Sequence, residues 1–158
     1  MLDPAGIPLQ SFAGTLFGVL LGESIAIGYD RYSRRRAEAE RRSRAAASIG
    51  EELERTATAL AAYREGERDR VVYPTAAYRS SVSSGSFALL AAEVQDRVAT
   101  AYALAEDAAE RQRDLRAATR AGEADPGTLR ELRRAFGRSN EELSTALSDA
   151  RDALRRYE

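Results

Sequence analysis

The residues of this chain that are able to do chemistry are carboxylates and guanidiniums. The sequence contains no cysteine, histidine, tryptophan or lysine, so its 24 basic residues are all arginine, and 25 acidic residues bring the net charge to -1. These absences exclude disulfides, thiolate and imidazole catalysis, and the usual zinc ligands. The sequence also shows no nucleophile beside a base and no phosphate-binding glycine loop. We therefore predict that the protein is not an enzyme and has no cofactor and no metal.

Glu23 is the one ionisable side chain within an apolar stretch, residues 7–29. A charge inside a bilayer is costly, so such a residue is a functional candidate. Two interpretations remain open. Glu23 either forms a hydrogen bond across an oligomer in its protonated form, or turns toward the interface and reaches water.

Seven arginines follow this stretch within residues 31–44, where only two glutamates accompany them. Residues 45–158 carry 17 arginines against 20 acidic residues, so the positive charge is local. Such arginines set membrane topology and also contact anionic lipid head groups. Because the run adjoins an apolar stretch, and because its residues 34–44 lack interleaved aromatic residues, we expect no nucleic-acid partner. The candidate lipid contacts are Arg31, Arg34, Arg35, Arg36, Arg41, Arg42 and Arg44.

Two pairs of adjacent glutamates lie on predicted helices: Glu51 with Glu52, and Glu141 with Glu142. Neither pair has a histidine or metal-ligand spacing beside it. We interpret both pairs as parts of solvated helix faces.

The elements that must position these residues begin with a predicted transmembrane helix at residues 7–29. Its 23 residues include ten of Ile, Leu, Phe or Val. As a helix they rise about 34 Å, against a hydrocarbon core of about 30 Å. These ten favour insertion by roughly 3 to 6 kcal/mol, against about 2.5 kcal/mol for a central glutamate. A buried core helix and a signal peptide are the alternatives, but arginines follow the stretch and none precedes it.

The charge asymmetry also predicts the orientation of the chain in the cell (inner) membrane. Positive residues are retained on the cytoplasmic side, so we expect a single pass with the N-terminus outside and the C-terminal domain in the cytoplasm. Small residues recur every four positions in the span. This pattern is typical of membrane helices that pair closely, and it predicts a homo-oligomer or a partner membrane helix packed on Gly14, Gly18, Gly22 and Ala26.

Beyond the arginines, apolar residues recur in steps of three and four, which predicts helices and a coiled-coil-like seam. The first helix is expected to continue to Tyr63 and to end at Gly66. A short helix should run from an N-cap at Thr75 to Ser84. After a glycine cap, a long helix carries one apolar stripe: Phe87, Leu90, Val94, Val98, Ala101, Ala105, Ala108 and Leu115.

A turn at residues 121–127 and a capping box of Thr128 with Glu131 predict the start of the last helix. Gly137 leaves open whether this helix is kinked or divided. Its expected buried stripe is Leu129, Leu132, Phe136, Leu143, Leu147, Ala150, Leu154 and Tyr157.

The predicted fold is therefore all-α. Residues 1–30 form the membrane anchor, residues 31–45 an arginine-rich juxtamembrane helix, and residues 46–158 a cytoplasmic helical domain. Because the turn at 121–127 is short, we expect an antiparallel bundle.

Two motifs carry a resemblance to known proteins. Leu9–Gly22 reads L-Q-S-F-A-G-T-L-F-G-V-L-L-G, and Ser84–Leu90 reads S-G-S-F-A-L-L, with Tyr102 further on in a helix. In these motifs the chain resembles a group of prokaryotic single-pass membrane proteins, in which a similar span precedes a basic stretch and a helical cytoplasmic domain. The resemblance covers most of the length, and the lysine-free composition fits a haloarchaeal origin. It implies an architecture, and it implies no activity and no catalytic residues.

Three functions are compatible with these features. The first is a membrane-anchored interaction or scaffold module that associates through its span and presents its last two helices to a cytosolic protein. The second is a membrane-acting sensor or effector of a stress or phage response, in which Glu23 and the glycine face rearrange. The third, a small membrane enzyme, needs a polar pocket that the sequence gives no means to build.

Overall fold

A computed structural model describes the backbone of residues 9–122 and 125–157, and the side chains of these ranges from residue 28 onward. All regular structure in the described residues is helical, which confirms the all-α class. The chain divides into two compact units, Met1–Glu40 and Arg41–Glu158. The elements are α1 (Leu9–Arg64), α2 (Ala76–Ser83), α3 (Ala92–Ala121), α4 (Pro126–Leu154), and two 3₁₀ helices at Phe87–Leu89 and Arg155–Tyr157.

Helix α1 ends as predicted, just before Gly66. This glycine has a positive φ of 78°, a conformation that side chains with a Cβ rarely adopt. Its N–H donates to the carbonyl of Tyr63 at 3.1 Å, and the next N–H, of Glu67, donates to Ala62 at 2.9 Å. These two bonds form a Schellman motif, which satisfies carbonyls at the helix end.

Helix α2 begins after Thr75, as predicted, but the threonine side chain does not cap it. The carboxylate of Glu52 on α1 replaces it, accepting from the N–H of Ala77 at 2.9 Å and of Tyr78 at 3.3 Å. These are the second and third N–H groups of the helix, which an N-cap side chain usually binds. A carboxylate from another helix therefore caps α2.

The long helix α3 does not begin at Phe87, as the stripe suggested. An extended segment at Leu90 and Ala91 separates the 3₁₀ helix Phe87–Leu89 from α3. Ala91 is extended, with φ -62° and ψ 145°, and α3 starts after it. Side chains form hydrogen bonds with the backbone groups of this extended segment. Gln95 donates to the carbonyl of Leu90 at 2.7 Å, and the Ala91 N–H donates to the Tyr157 hydroxyl at 2.8 Å. The predicted stripe is nevertheless buried from Leu90 to Ala108.

The predicted capping box at Thr128 is wrong, because α4 begins one residue after Asp125. The Asp125 carboxylate accepts from the N–H of Gly127 at 2.7 Å and of Thr128 at 3.1 Å, and Pro126 occupies the first helical position. Asp followed by Pro is a strong N-terminal signal, since proline lacks the N–H that would otherwise be unsatisfied. Helix α4 runs unbroken through Gly137, which answers the open question about a division.

The core of the second unit lies among α1, α3 and α4. The start of α3 lies beside the end of α4, as the bond between Ala91 and Tyr157 shows, so these two helices are antiparallel. The predicted stripe of the last helix is buried from Phe136 to Leu154, whereas Leu129, Leu132 and Tyr157 are half-buried. The largest fully buried side chains are Ile49, Leu53, Leu60, Val94, Val98, Leu143 and Leu147.

Among the described residues, no helix has a stretch long and apolar enough to cross a membrane. The side chains of the predicted span up to residue 27 lie outside the described residues. The same holds for Glu23 and for the small residues at positions 14, 18, 22 and 26.

Candidate functional site

Four of the seven candidate lipid-binding arginines lie on the part of α1 that belongs to the first unit, and all four are exposed: Arg31, Arg34, Arg35 and Arg36. Two of them form ion pairs within the helix. Arg34 contacts Asp30 at 2.7 Å, and Arg36 contacts Glu40 at 3.4 Å. Such exposed pairs contribute little to stability. The guanidiniums thus remain accessible to solvent and to other anions.

Two tyrosines accompany these arginines. Tyr29 is 74% exposed and Tyr32 is 64% exposed, which are high values for large apolar rings. Tyrosine is enriched where a membrane meets water, because its ring is apolar and its hydroxyl is polar. Exposed tyrosines next to arginines are therefore suited to a lipid interface.

In the second unit, the C-terminal 3₁₀ helix contacts α1 at Arg42 and Ser43. The guanidinium of Arg42 lies 5.3 Å from the centre of the Tyr157 ring, within cation–π range. The Ser43 hydroxyl donates to the Tyr157 carbonyl at 3.0 Å. These contacts attach the C-terminal 3₁₀ helix to this part of α1.

Arg41 and Arg44 form one wall of an open groove of about 480 Å³, which we call the serine groove. They lie one helical turn apart on α1, on the face that also presents Ser48. The opposite wall comes from the end of α2 and the segment that follows it. The lining residues are Arg41, Arg44, Ala45, Ser48, Ser80, Ser81, Ser84 and Ser86.

Hydroxyl groups surround the last carbonyls of α2 in this groove. The Ser81 carbonyl accepts from the hydroxyls of Ser84 and Ser86, each at 3.2 Å. The Ser80 carbonyl accepts from the Ser83 hydroxyl at 3.1 Å. These donors offset the partial negative charge that the helix C-terminus would otherwise present to the groove.

A second groove, of about 490 Å³, lies between α1 and α4, and we call it the paired groove. Its charges bind each other: Arg55 contacts Glu51 at 3.0 Å, and Arg151 contacts Glu54. Because its cations already have carboxylate partners, this groove offers little to a charged ligand. Its lining residues are Ala47, Gly50, Glu51, Glu54, Arg55, Arg151, Leu154 and Arg155.

Glu52 is at the centre of a buried polar cluster, so its interpretation as part of a solvated face is wrong. Its side chain is only 4% exposed, and it accepts from the Tyr102 hydroxyl at 2.6 Å. The Tyr78 ring stacks on the Tyr102 ring, with centroids 4.3 Å apart. Burial, together with the hydrogen bond to Glu52, holds the pKa of Tyr102 above its usual range. The cluster is therefore a structural link between α1, α2 and α3.

The other three glutamates, Glu51, Glu141 and Glu142, are exposed, as predicted. A signal for the different position of Glu52 was present in the sequence. On a helix it lies three residues after Ile49 and four before Thr56, both of which are buried. The serine groove also has a signal on one wall, since Arg41, Arg44 and Ser48 share helical spacing, but this spacing does not indicate the serines of the opposite wall.

In the described part of the chain, no group of three or more acidic side chains is placed to hold a metal ion. Comparisons with protein-family models, with curated proteins and with solved structures found no match.

Proposed function

We propose that the protein is a non-enzymatic, membrane-anchored helical module that binds other proteins. Residues 7–29 cross the cell membrane once, the N-terminus lies outside, and the helical domain lies in the cytoplasm. The arginines of residues 31–44 contact anionic head groups at the inner surface.

The observation that carries this proposal is the exposure of the arginines and tyrosines directly after the apolar stretch. A helix in a folded domain usually buries an apolar stripe, but Tyr29 and Tyr32 are among the most exposed large apolar side chains described. A lipid interface gives these rings an apolar environment and gives the arginines their counter-charges. Each arginine near an anionic surface contributes about 1 kcal/mol.

The buried polar groups of the second unit support an interaction role over catalysis. Glu52 caps α2. The side-chain amide of Gln112 accepts from the Val71 N–H at 2.8 Å and donates to the Val71 carbonyl at 3.0 Å. Every buried polar side-chain atom among the described residues has a hydrogen-bond partner. These groups hold the fold together, and an activated catalytic group would instead face a cleft.

We further propose that the chain associates with itself in the membrane through Gly14, Gly18, Gly22 and Ala26. Small residues at this spacing let two helices approach closely. Single cysteines at 14, 18 and 22 should crosslink in native membranes, and cysteines at 16 and 20 should not. Equal crosslinking at all five positions, or none, contradicts this face.

The orientation is tested by labelling single cysteines with a membrane-impermeant maleimide, because the chain has no native cysteine. We expect Asp3→Cys to react in intact spheroplasts and Glu106→Cys to react only in inverted vesicles. Glu106 is an exposed position on α3, so labelling there reports location and not burial. Labelling of Glu106→Cys in intact spheroplasts contradicts the proposed topology.

A further inference from the structure

We propose that the serine groove binds the phosphate group of a phosphomonoester. The inference concerns side chains of the second unit alone, and it does not depend on the proposed membrane anchor. The phosphate belongs either to a lipid head group such as that of phosphatidate or to a soluble phosphomonoester.

The charge of the groove favours an anion. Two of its eight lining residues are arginines and none is acidic. Arg41 forms no ion pair with any residue that the structure describes, whereas Arg34, Arg36 and Arg55 on α1 each contact a carboxylate. Guanidinium groups bind phosphate oxygens through strong, charge-assisted hydrogen bonds.

The hydroxyls supply further donors on both walls. The hydroxyl groups of Ser48 and Ser80 make no hydrogen bond to any described residue, and both side chains are exposed. Each is free to donate to a ligand without losing an internal bond. The groove therefore has three donor groups without a described partner, those of Arg41, Ser48 and Ser80, and a phosphomonoester presents three terminal oxygens that can accept from them.

Two other hydroxyls reduce the repulsion that the C-terminus of α2 would exert on an anion in the groove. Ser84 and Ser86, whose hydroxyl oxygens lie 2.9 Å apart, cover the Ser81 carbonyl. The backbone turns away at Gly85, where φ is 73°. The end of α2 therefore presents hydroxyl groups to the groove in place of bare carbonyls.

The test is a binding titration of the full chain with glycerol 3-phosphate in detergent, and with nanodiscs containing phosphatidate or the phosphodiester phosphatidylglycerol. Arg41→Gln should weaken phosphomonoester binding by about tenfold or more, which corresponds to the loss of about 1.4 kcal/mol. The double variant Ser48→Ala with Ser80→Ala should weaken it by about threefold to tenfold. The control is Arg55→Gln, which removes the same charge from α1 in the paired groove and should change binding by less than about twofold.

Saturable binding of glycerol 3-phosphate that only the serine-groove variants weaken supports the inference with a soluble source. The same pattern seen only with phosphatidate nanodiscs supports it with a lipid source. Equal losses for Arg41→Gln and Arg55→Gln overturn it, and so does the absence of saturable binding to any phosphomonoester probe. Because the detergent titration needs no bilayer, binding by a chain that fails to localise to membranes contradicts only the proposed function.

Discussion

The serine groove and the paired groove are similar in size and share α1 as a wall, yet they differ in how their polar groups are satisfied. In the paired groove, Arg55 and Arg151 have carboxylate partners. In the serine groove, Arg41 forms no ion pair with a described residue, and the hydroxyls of Ser48 and Ser80 form no hydrogen bond with one. Groups that already bind each other have little left for a ligand, so an arginine is informative about function mainly through its partners.

The same lesson applies to the neighbours Glu51 and Glu52. Glu51 is exposed and forms an ion pair one turn away on its own helix. Glu52 is buried and binds groups of α2 and α3. Two adjacent residues of the same type thus have different tasks, and this contrast predicts different effects of substitution.

The largest expected effect is that of Glu52→Ala. It leaves two N–H groups of α2 and the Tyr102 hydroxyl without their acceptor, so the free energy of unfolding should fall by about 2 to 4 kcal/mol. Glu51→Ala is the matched control and should change it by less than about 0.5 kcal/mol. Urea denaturation of the full chain, followed by circular dichroism, measures both. Equal effects would mean that Glu52 is not the cap of α2.

Tyr102→Phe tests one bond of the same cluster and should have a smaller effect. It removes the 2.6 Å hydrogen bond to Glu52 and keeps the ring that stacks on Tyr78. A bond to a charged acceptor predicts a loss of about 1.5 to 2 kcal/mol in the same denaturation experiment. A loss as large as that of Glu52→Ala would indicate that the ring packing was disturbed as well.

Arg151→Gln tests whether the ion pairs of the paired groove stabilise the fold. Arg151 and its partner Glu54 are 32% and 51% exposed, so solvent screens their attraction. We expect a decrease of less than about 1 kcal/mol in the free energy of unfolding, and less still at high salt. A salt-independent loss well above this value would show that the pair behaves as a buried one.

The smallest effect concerns acid pH and Asp125. Its hydrogen bonds from Thr128 and Gly127 hold its pKa below the usual range. A carboxyl whose pKa is lowered by folding stabilises the protein above its ordinary pKa, and this contribution is lost as the pH falls through the lowered value. Asp125→Asn keeps a capping side chain that does not titrate. Between pH 7 and pH 3, the melting temperature of the Asp125→Asn variant should therefore decrease by less than the melting temperature of the native chain does.

The features that sequence predicted well are the ones that local residues determine. Gly66 ends α1, and Gly85 ends α2, because a positive φ favours glycine at these positions. The all-α class and most of the buried stripes followed from apolar spacing. At the start of α4, two local signals competed, and Asp125 with Pro126 prevailed over Thr128 with Glu131.

The features that sequence did not predict depend on partners far along the chain. The cap of α2 comes from Glu52, 25 residues before Ala77. The extended segment before α3 is held by a hydrogen bond from the Ala91 N–H to the hydroxyl of Tyr157, 66 residues later in the chain. The serine groove likewise combines side chains of α1 with side chains near the end of α2, which are far apart in the sequence. Helical periodicity shows which face is apolar, but it does not show which polar residue meets another.

The central claim, a membrane anchor at residues 7–29, is tested most directly by carbonate extraction of cell membranes. The full chain should remain in the membrane pellet, and so should the control with Leu16→Ile and Leu20→Ile. Leu16→Arg with Leu20→Arg costs roughly 5 to 7 kcal/mol, which outweighs the favourable insertion energy of the span, so this variant should be extracted. Release of the full chain by carbonate, or retention of the double arginine variant, contradicts the anchor.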